Sequence, residues 1–314
     1  MSDTSDVYAD QAAPSEPAPD LLLVGHVTYD ILPGGATRLG GTALYAGLAA
    51  ARLGWRVGIV TSGPNEILLS LQAAIPGAAI AASLSPVATT FEHIYPDGVR
   101  RLRLRERANP LGLNDIPLAW RSAPVVLLAP VIHEIDPELG AAFPDALVAA
   151  TAQGWLRRLE ASGNVIPKLL EQDLVALPTL QALLLSYEDL LLPPNVYVSP
   201  LDRIPITVAD ANAQLGVWSS VTPIVVATRG SVGASLRLNG GPPEMFPAYK
   251  TQLVDSTGAG DVFAAAFLYR LRETNDPRAA VDFANRCASI SVEGQGTSTI
   301  PTLDEVIARY GPLK

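Results

Sequence analysis

The stretch 255–261, with the sequence DSTGAGD, combines residue types that suit phosphate chemistry. Two carboxylates flank a Thr-Gly-Ala-Gly turn, and the apolar run 262–271 follows directly. That run predicts a buried helix, whose first free N–H groups carry partial positive charge and suit an anion. The carboxylate of Asp261 would then lie beside the bound anion, which is unfavourable unless the acid has a task. Accepting a proton from an attacking hydroxyl is such a task.

A glycine turn with an acidic cap and no ligand would leave the same local pattern. The chemistry of the seven residues favours neither interpretation over the other, so the remainder of the chain has to decide between them.

Composition narrows the class of protein. The 314 residues are 48% hydrophobic and 17% charged, which is enough apolar material for a sizeable core. The net charge of −9 argues against general nucleic-acid binding, which needs a positive surface. The single cysteine, Cys287, permits no intrachain disulfide, and no apolar run is long enough to span a membrane. These features fit a cytoplasmic protein. Residues 1–20, rich in Asp, Ala, Ser and Pro, predict a disordered tail.

The order of apolar runs predicts the fold class. From residue 21 onward, short buried strands alternate with Ala-rich or Leu-rich helices, which favours an α/β fold with a mostly parallel sheet and helices on both faces. We expect residues 21–314 to form a single domain. Ligands bind at the carboxyl ends of the strands in such sheets. Asp30, Gly40 and Gly41 are expected at such ends.

Residues 87–107 interrupt the alternation and predict a projecting β-hairpin around a Pro-Asp-Gly turn. Arg101, Arg103 and Arg105 share one face of its second strand. They either protect a solvated strand edge or belong to a lid that meets a phosphorylated product. The hairpin could cover its own site or pair with a second copy in a homodimer.

Other catalytic motifs are missing. No P-loop and no Gly-x-Ser-x-Gly elbow occur, and a dinucleotide fingerprint starting at Gly258 is broken by Phe263. The three histidines lack zinc-ligand spacing, and His133 beside Glu134 favours a polar strand end over a metal ligand.

The stretch 255–261 with its following Val-Phe resembles the C-terminal signature of the PfkB, or ribokinase-like, carbohydrate kinases. Other segments resemble that family in the same order, from about residue 21 to the end. They are 25–30, the glycine pair 40–41, 228–234, and Asn285 with the loop 292–299. The resemblance implies an ATP-dependent, Mg²⁺-dependent kinase acting on a sugar, polyol or nucleoside hydroxyl.

The resemblance also implies roles for individual residues. Asp261 would be the catalytic base, and the backbone N–H groups of Gly258, Ala259 and Gly260 would hold the charge on the transferred phosphoryl. Asp255 and Thr257 would shape a site for a monovalent cation such as K⁺, where the family has one. The remaining implied residues are Thr228, Gly230, Thr257 and Asn285 toward the nucleotide, and Asp30, Gly40, Gly41 and Tyr45 toward the substrate.

Three departures from the family pattern stand out. The Asn-x-x-Glu motif of the magnesium shell is replaced by Ser-Tyr-Glu-Asp at 186–189, where Asp189 or Glu188 could supply the carboxylate. Tyr45 lies where ribokinases place an Asn, so ribose is not the expected acceptor. The short link between Asp30 and Gly40 leaves little room for additional lid strands. Segments 25–30 and 153–157 are more similar to the inositol-kinase branch.

Two further functions compete with the kinase. One is a regulatory member that binds nucleotide or sugar without turnover, although retention of both acids in 255–261 argues against it. The other is an oxidoreductase on a Rossmann-type sheet, which the broken glycine fingerprint disfavours.

Overall fold

The structure is a computed structural model that describes residues 17–95, 98, 100–168, 177–191 and 207–313. Most of the predicted tail 1–20 and part of the predicted turn 96–98 lie outside these residues. Asp20, which is described, pairs with Arg56 through Oδ1 and Nη2 at 2.7 Å, so this acid belongs to the folded domain.

The described residues form strands that cover most of the predicted apolar runs. In chain order they are β1 (Leu21–Val24), β2 (Thr28–Ile31), β3 (Thr37–Gly40), β4 (Val57–Gly63), β5 (Ala79–Leu84), β6 (Thr89–Ile94), β7 (Arg101–Glu106), β8 (Val125–Leu128), β9 (Leu147–Thr151), β10 (Arg157–Leu159), β11 (Val165–Pro167), β12 (Ala182–Ser186), β13 (Ile224–Thr228), β14 (Ala234–Leu238) and β15 (Glu244–Phe246).

The α-helices include one that covers the apolar run 262–271, which was predicted to be a buried helix. They are α1 (Thr42–Arg52), α2 (Asn65–Ala74), α3 (Tyr187–Leu190), α4 (Val208–Ser219), α5 (Ala259–Thr274), α6 (Pro277–Ser291) and α7 (Leu303–Tyr310). Local chemistry explains several boundaries. Thr207 and Asp210 form a capping box for α4, and Thr302 and Glu305 form one for α7. No helix of the described residues is long and apolar enough to cross a membrane.

The larger sheet confirms the predicted α/β class. Its order among the described strands is β5-β4-β1-β8-β9-β12-β13-β14-β15, in which β5 through β13 are parallel and the last two are antiparallel. Side chains of β1 alternate between two apolar clusters, so the sheet is covered on both faces. The cluster on one face includes residues of α1, α2, α5 and α6, and the cluster on the other includes α4 and the large rings of Trp120, Trp155 and Trp218.

The strand order reverses between β1 and β8, which is the point where such sheets hold ligands. The chain leaves the carboxyl end of β1 to form β2 and β3, and it leaves the carboxyl end of β5 to form β6 and β7. These four strands make a second sheet of order β3-β2-β6-β7, which we call the lid sheet. It therefore rises from the ligand edge of the larger sheet.

The lid sheet confirms the hairpin expected over 87–107 and corrects the expectation for the link between Asp30 and Gly40. That link was expected to leave little room for additional lid strands, yet β2 and β3 pair there as an antiparallel hairpin. Two short strands joined by a tight turn need few residues, so the short link suffices. Parallel pairing of β2 with β6 joins the two hairpins into one sheet.

Glu134 fixes the backbone at the reversal point. Its carboxylate is buried and accepts hydrogen bonds from the backbone N–H groups of Val131 at 2.8 Å, Ile132 at 2.7 Å and His26 at 3.2 Å. These groups belong to the segments that leave β8 and β1. One carboxylate thus satisfies three buried donors and holds the two strand ends together. The interpretation of this cluster as a polar strand end agrees with these contacts.

We expect Glu134→Ala to lower the free energy of unfolding by about 2–4 kcal/mol, because three buried N–H groups would lose their acceptor. Urea unfolding followed by tryptophan fluorescence measures the change. Glu138→Ala is the matched control, since Glu138 is exposed on the same segment and the loss there should stay within about 0.5 kcal/mol. Equal losses in the two variants would contradict the bracing role of Glu134.

Candidate active site

The turn before α5 rests on an aromatic ring. Gly258 has a φ of 76°, a left-handed conformation that favours glycine. A Cβ at this position would lie 2.1 Å from Cδ1 of Tyr45, which is closer than real Cβ contacts allow. Tyr45 belongs to α1 and is only 2% exposed. The turn therefore needs glycine for both its backbone conformation and its contact with α1.

The N–H groups at the start of α5 differ in their availability. Ala259 donates its N–H to the carbonyl of Ser256 at 3.2 Å, and Val262 donates to that of Gly258 at 2.9 Å. Within the described part of the chain, no backbone carbonyl accepts the N–H of Gly258 or Gly260. A Cβ on Gly260 would meet nothing within 4 Å, so open space adjoins the turn. Of the three predicted N–H donors, Ala259 is engaged internally and the two glycines have donors to spare.

Asp261 lies in the first turn of α5 and accepts a hydrogen bond from the hydroxyl of Thr42 at 2.8 Å. Burial raises the pKa of Asp261 to about 6. The carboxylates of Asp189 and Asp30 act in the same direction, whereas Thr42 and the Arg157 guanidinium act against it. A carboxyl group with such a pKa is largely ionised at neutral pH and can still take up a proton.

Asp255 has a different environment. Its carboxylate accepts from the N–H of Thr257 at 2.9 Å and of Gly296 at 3.1 Å, and it pairs with Nη1 of Arg38 at 2.9 Å. Partial burial by itself would raise the pKa of Asp255, but these hydrogen bonds and the Arg38 charge lower it to about 2. Asp255 is therefore a permanent anion, and its partners are already in place.

One face of the lid sheet carries the polar residues nearest the turn. Asp30 pairs across the strands with Arg38 of β3 and Phe91 of β6, so these three side chains share a face. His93 lies on the same face, with its Nε2 3.7 Å from Oδ2 of Asp30. A Cβ on Gly40 would come within 2.8 Å of that same oxygen. Gly40 therefore makes room for the Asp30 carboxylate.

Asp30 and Gly40 were expected at the ends of main-sheet strands, and this placement is wrong. β1 ends at Val24, and the chain passes through His26 before β2 begins, so both residues lie in the lid sheet. Gly41 follows at the start of α1 with a φ of 91°, where a Cβ would lie 2.6 Å from the His26 carbonyl oxygen.

The two alternatives for the hairpin arginines are distinguished by register. Arg103 lies opposite Glu92, and Arg105 pairs with the Glu92 carboxylate at 2.6 Å. Residues alternate along a strand, so Arg101 and Arg103 face away from Phe91 and His93. The lid face turned toward the site is formed by other residues.

Tyr45 contributes mainly by supporting the turn. Burial raises the pKa of Tyr45 to about 12, and its hydroxyl finds no hydrogen-bond partner among the described residues. Its ring contacts Gly258 rather than open space. A direct contact with substrate stays a prediction.

The predicted magnesium residues lie in the short helix α3. Oδ2 of Asp189 accepts from the N–H of Ser186 at 2.9 Å, which caps α3, while Glu188 is exposed. Burial raises the pKa of Asp189, and the charge of Arg157 opposes that shift. Ser186 is the register partner of Thr228, so the end of β13 adjoins this group.

The predicted nucleotide residues lie in three places. Thr257 contacts the Arg38–Asp255 pair, whereas Thr228 ends β13 and Gly230 lies two residues further on. Asn285 is buried in α6, where its side-chain amide donates to the carbonyls of Phe246 at 3.2 Å and Pro247 at 3.3 Å. Its contacts in this structure are thus with the sheet edge and not with the turn.

Three residues of the site were not assigned from sequence. Thr42 holds Asp261, Arg38 holds Asp255, and Arg157 interacts electrostatically with Asp189 and Asp261. The Arg157 guanidinium lies over the Phe91 ring at 5.3 Å and donates to the Val131 carbonyl at 2.6 Å. Thr42 could have been found, because it directly follows the glycine pair. No local signal marks Arg38 or Arg157, since both reach the site from other elements.

Comparison with known proteins agrees with this geometry. Residues 139–303, which are more than half of the chain, match the sequence pattern of the pfkB family of carbohydrate kinases. The fold and the turn at α5 define a ribokinase-like protein, and the chain belongs to the pfkB carbohydrate kinase family.

Curated relatives are similar over part of their length. The chain is 32% identical over 130 residues to a ribokinase of Staphylococcus aureus, covering 39% of this chain and 41% of that protein. It is 44% identical over 81 residues to a ribokinase of Bacillus subtilis, covering 25% and 27% of the two chains. It thus spans less than half the length of these relatives.

Solved structures show the fold over nearly the whole chain. A pyrophosphate-dependent kinase in the ribokinase family, complexed with a pyrophosphate analog and myo-inositol, aligns with a TM-score of 0.74 at 21% identity. That alignment covers 92% of this chain and 99% of the other. Ribokinase of Arabidopsis thaliana aligns with a TM-score of 0.69 at 19% identity, covering 93% and 98%. The predicted ribokinase-like fold is confirmed.

We expect Gly258→Ala to destabilise the protein by about 2–4 kcal/mol, because the new methyl group meets the Tyr45 ring and the backbone strain adds to this. The double variant with Tyr45→Ala should recover the steric part, which a double-mutant cycle in urea unfolding measures. Gly260→Ala is the matched control, because its methyl group points into open space. Additive losses for Gly258→Ala and Tyr45→Ala would contradict the contact.

We expect Asp261→Asn to raise thermal stability at pH 8. The pKa of Asp261 is raised in the folded state, so the folded protein retains a proton that the unfolded chain has lost. The free energy of unfolding therefore decreases as the pH rises from about 4 to about 6. Above pH 6 the folded protein carries the whole energetic penalty of a buried, ionised Asp261. The gain in the variant is at most about 3 kcal/mol above pH 6 and vanishes below about pH 4. Differential scanning calorimetry across this range tests it, with exposed Asp145→Asn as control. A gain that grows on acidification would contradict the assignment.

Proposed function

We propose that the protein transfers a phosphoryl group from ATP to a hydroxyl of a small polyhydroxylated compound, such as a sugar, an inositol or a nucleoside. The observation that carries this proposal is the position of Asp261, with a pKa of about 6, beside the spare N–H groups of Gly258 and Gly260. A proton acceptor and anion-binding donors in one helical turn are what phosphoryl transfer to an alcohol requires.

Asp261 acts as the base in this proposal. Its carboxylate takes the proton of the acceptor hydroxyl as that oxygen attacks the phosphorus atom. The bond between the terminal phosphorus and the bridging oxygen of the donor breaks, and ADP leaves. The hydrogen bond from Thr42 orients the carboxylate. The N–H groups of Gly258 and Gly260 hold charge on the transferred phosphoryl, and the positive end of the α5 dipole adds to this.

The lid face holds the acceptor in this proposal. Asp30 offers carboxylate oxygens to neighbouring hydroxyls of a polyol, and His93 beside it offers a further polar atom. Gly40 makes room for that carboxylate, and Gly41 makes room for the carbonyl oxygen of His26 at the start of α1. Arg157 adds a positive charge between the lid and the carboxylates of Asp189 and Asp261, which suits an acceptor or product that carries phosphate.

The residues present fit a magnesium–nucleotide complex. Burial raises the pKa of Asp261 and the charge of Asp189 adds to that shift, so a cation near the two carboxylates would be stabilised. Mg²⁺ is usually held through phosphates and waters with one or two carboxylates, and no group of three His, Cys, Asp or Glu suited to a metal occurs among the described residues. Asp189, with Glu188 nearby, would hold the ion, which neutralises charge on the donor phosphates.

ATP would lie along the end of β13, past Thr228 and Gly230, with Thr257 near its phosphates. The solved ribokinase of Arabidopsis thaliana is complexed with ribose and ATP, which supports this donor. A pyrophosphate-dependent kinase also shares the fold, and the Asn285 amide is engaged by two carbonyls. Pyrophosphate is therefore the second donor to be tested.

We expect Asp261→Asn to lower turnover by about 100- to 10,000-fold, because the general base is removed while nucleotide binding is retained. Product formation is measured with ATP or pyrophosphate and Mg²⁺ against a panel of sugars, inositols and nucleosides. In the native protein, kcat should fall as pH drops through about 6, following protonation of Asp261. Asp145→Asn is the control.

Near-normal turnover of the Asp261→Asn variant would contradict its role as base. Nucleotide and sugar binding by calorimetry, without turnover on any member of the panel, would favour the alternative of a non-catalytic regulatory protein.

A further inference from the structure

The Arg38–Asp255 contact does not fit the expectation that Asp255 shapes a monovalent-cation site. Nη1 of Arg38 lies 2.9 Å from Oδ2 of Asp255, and Nη2 donates to Oγ1 of Thr257 at 3.1 Å. The carboxylate also accepts from the N–H groups of Thr257 and Gly296. A guanidinium and two backbone N–H groups thus surround the oxygens that a cation would need.

The pair is partly shielded from solvent. The Arg38 and Asp255 side chains are 26% and 18% exposed, so water screens their attraction less than in a surface ion pair. The pKa of Asp255 is lowered to about 2, so the carboxylate stays charged throughout the physiological range. An arginine is always protonated there as well. The interaction is therefore a permanent one.

Its position links the lid sheet with the phosphate-binding turn. Arg38 lies in β3, directly opposite Asp30 of β2. Asp255 and Thr257 immediately precede Gly258 and its spare N–H group. The Nε of Arg38 is buried and has no hydrogen-bond partner among the described residues, so the guanidinium acts on this segment through its two Nη groups.

We propose that the guanidinium of Arg38 supplies, from the lid sheet, the positive charge at Asp255 that a monovalent cation would otherwise supply. The protein then needs no K⁺ to order the turn 255–258, and the order of the turn depends on the lid sheet instead. The part of this inference that concerns turnover rests on the proposed kinase function, whereas the part that concerns stability does not.

The test compares chloride salts of K⁺, Na⁺ and tetramethylammonium at constant ionic strength. The native protein should show the same Tm in all three, and its kcat should vary by less than about twofold. In the tetramethylammonium salt, Arg38→Met should lower the Tm and reduce kcat by roughly tenfold or more, because an ion pair and a charge-assisted hydrogen bond are lost. With the carboxylate uncovered, K⁺ should restore part of both values.

Two further variants sharpen the comparison. Arg38→Lys retains the charge and should remain insensitive to the choice of cation. Arg105→Met removes another lid arginine, one paired with Glu92 on the opposite face, and should leave the cation response unchanged. Arg38→Lys and Arg105→Met therefore both serve as references for the Arg38→Met variant.

The inference would be overturned if K⁺ raised the Tm of the native protein by several degrees or its kcat severalfold. An Arg38→Met variant whose Tm is indifferent to K⁺ would also overturn it, because the guanidinium would then not stand in for a cation. The Tm measurements need no turnover. If no acceptor is phosphorylated but the Tm pattern holds, the proposed function fails while the role of Arg38 at Asp255 stands.

Discussion

The structure depends on the contact between Gly258 and the ring of Tyr45. That contact brings the start of α5 against α1, and it leaves no room for a side chain at the turn. Because α1 also carries Thr42 at its first turn, the same packing places a hydroxyl 2.8 Å from the Asp261 carboxylate. Close packing of two buried helices thereby sets the position of the proposed base to within a hydrogen bond.

Two aspartates of the candidate site have different pKa values because their surroundings differ. Asp255 and Asp261 are six residues apart, yet one has a pKa of about 2 and the other of about 6. The difference follows from their neighbours, since Asp255 has two N–H donors and a guanidinium while Asp261 is buried near other carboxylates. One acid is thus suited to hold the turn and the other to accept a proton.

The lid sheet connects the region proposed to bind the acceptor with the turn before α5. Its inner face carries Asp30 and His93 toward the proposed acceptor site, and Arg38 toward Asp255 in the turn before α5. These residues share the face because β2 pairs with both β3 and β6. The opposite face carries arginines paired with Glu92, so a single sheet separates the site from a charged outer surface.

The sequence by itself determined the fold class, because apolar periodicity is a local property. The spacing of glycines and acids also singled out 255–261 as a candidate site. The sequence could not determine that the Asp30–Gly40 link forms lid strands, since strand pairing depends on partners distant in the chain. Nor could it reveal Arg38 or Arg157, whose roles arise from contacts across more than two hundred residues or from burial beside other charges. Tertiary structure decided which of two similar acids is a permanent anion, because a pKa depends on neighbours in space and not in sequence.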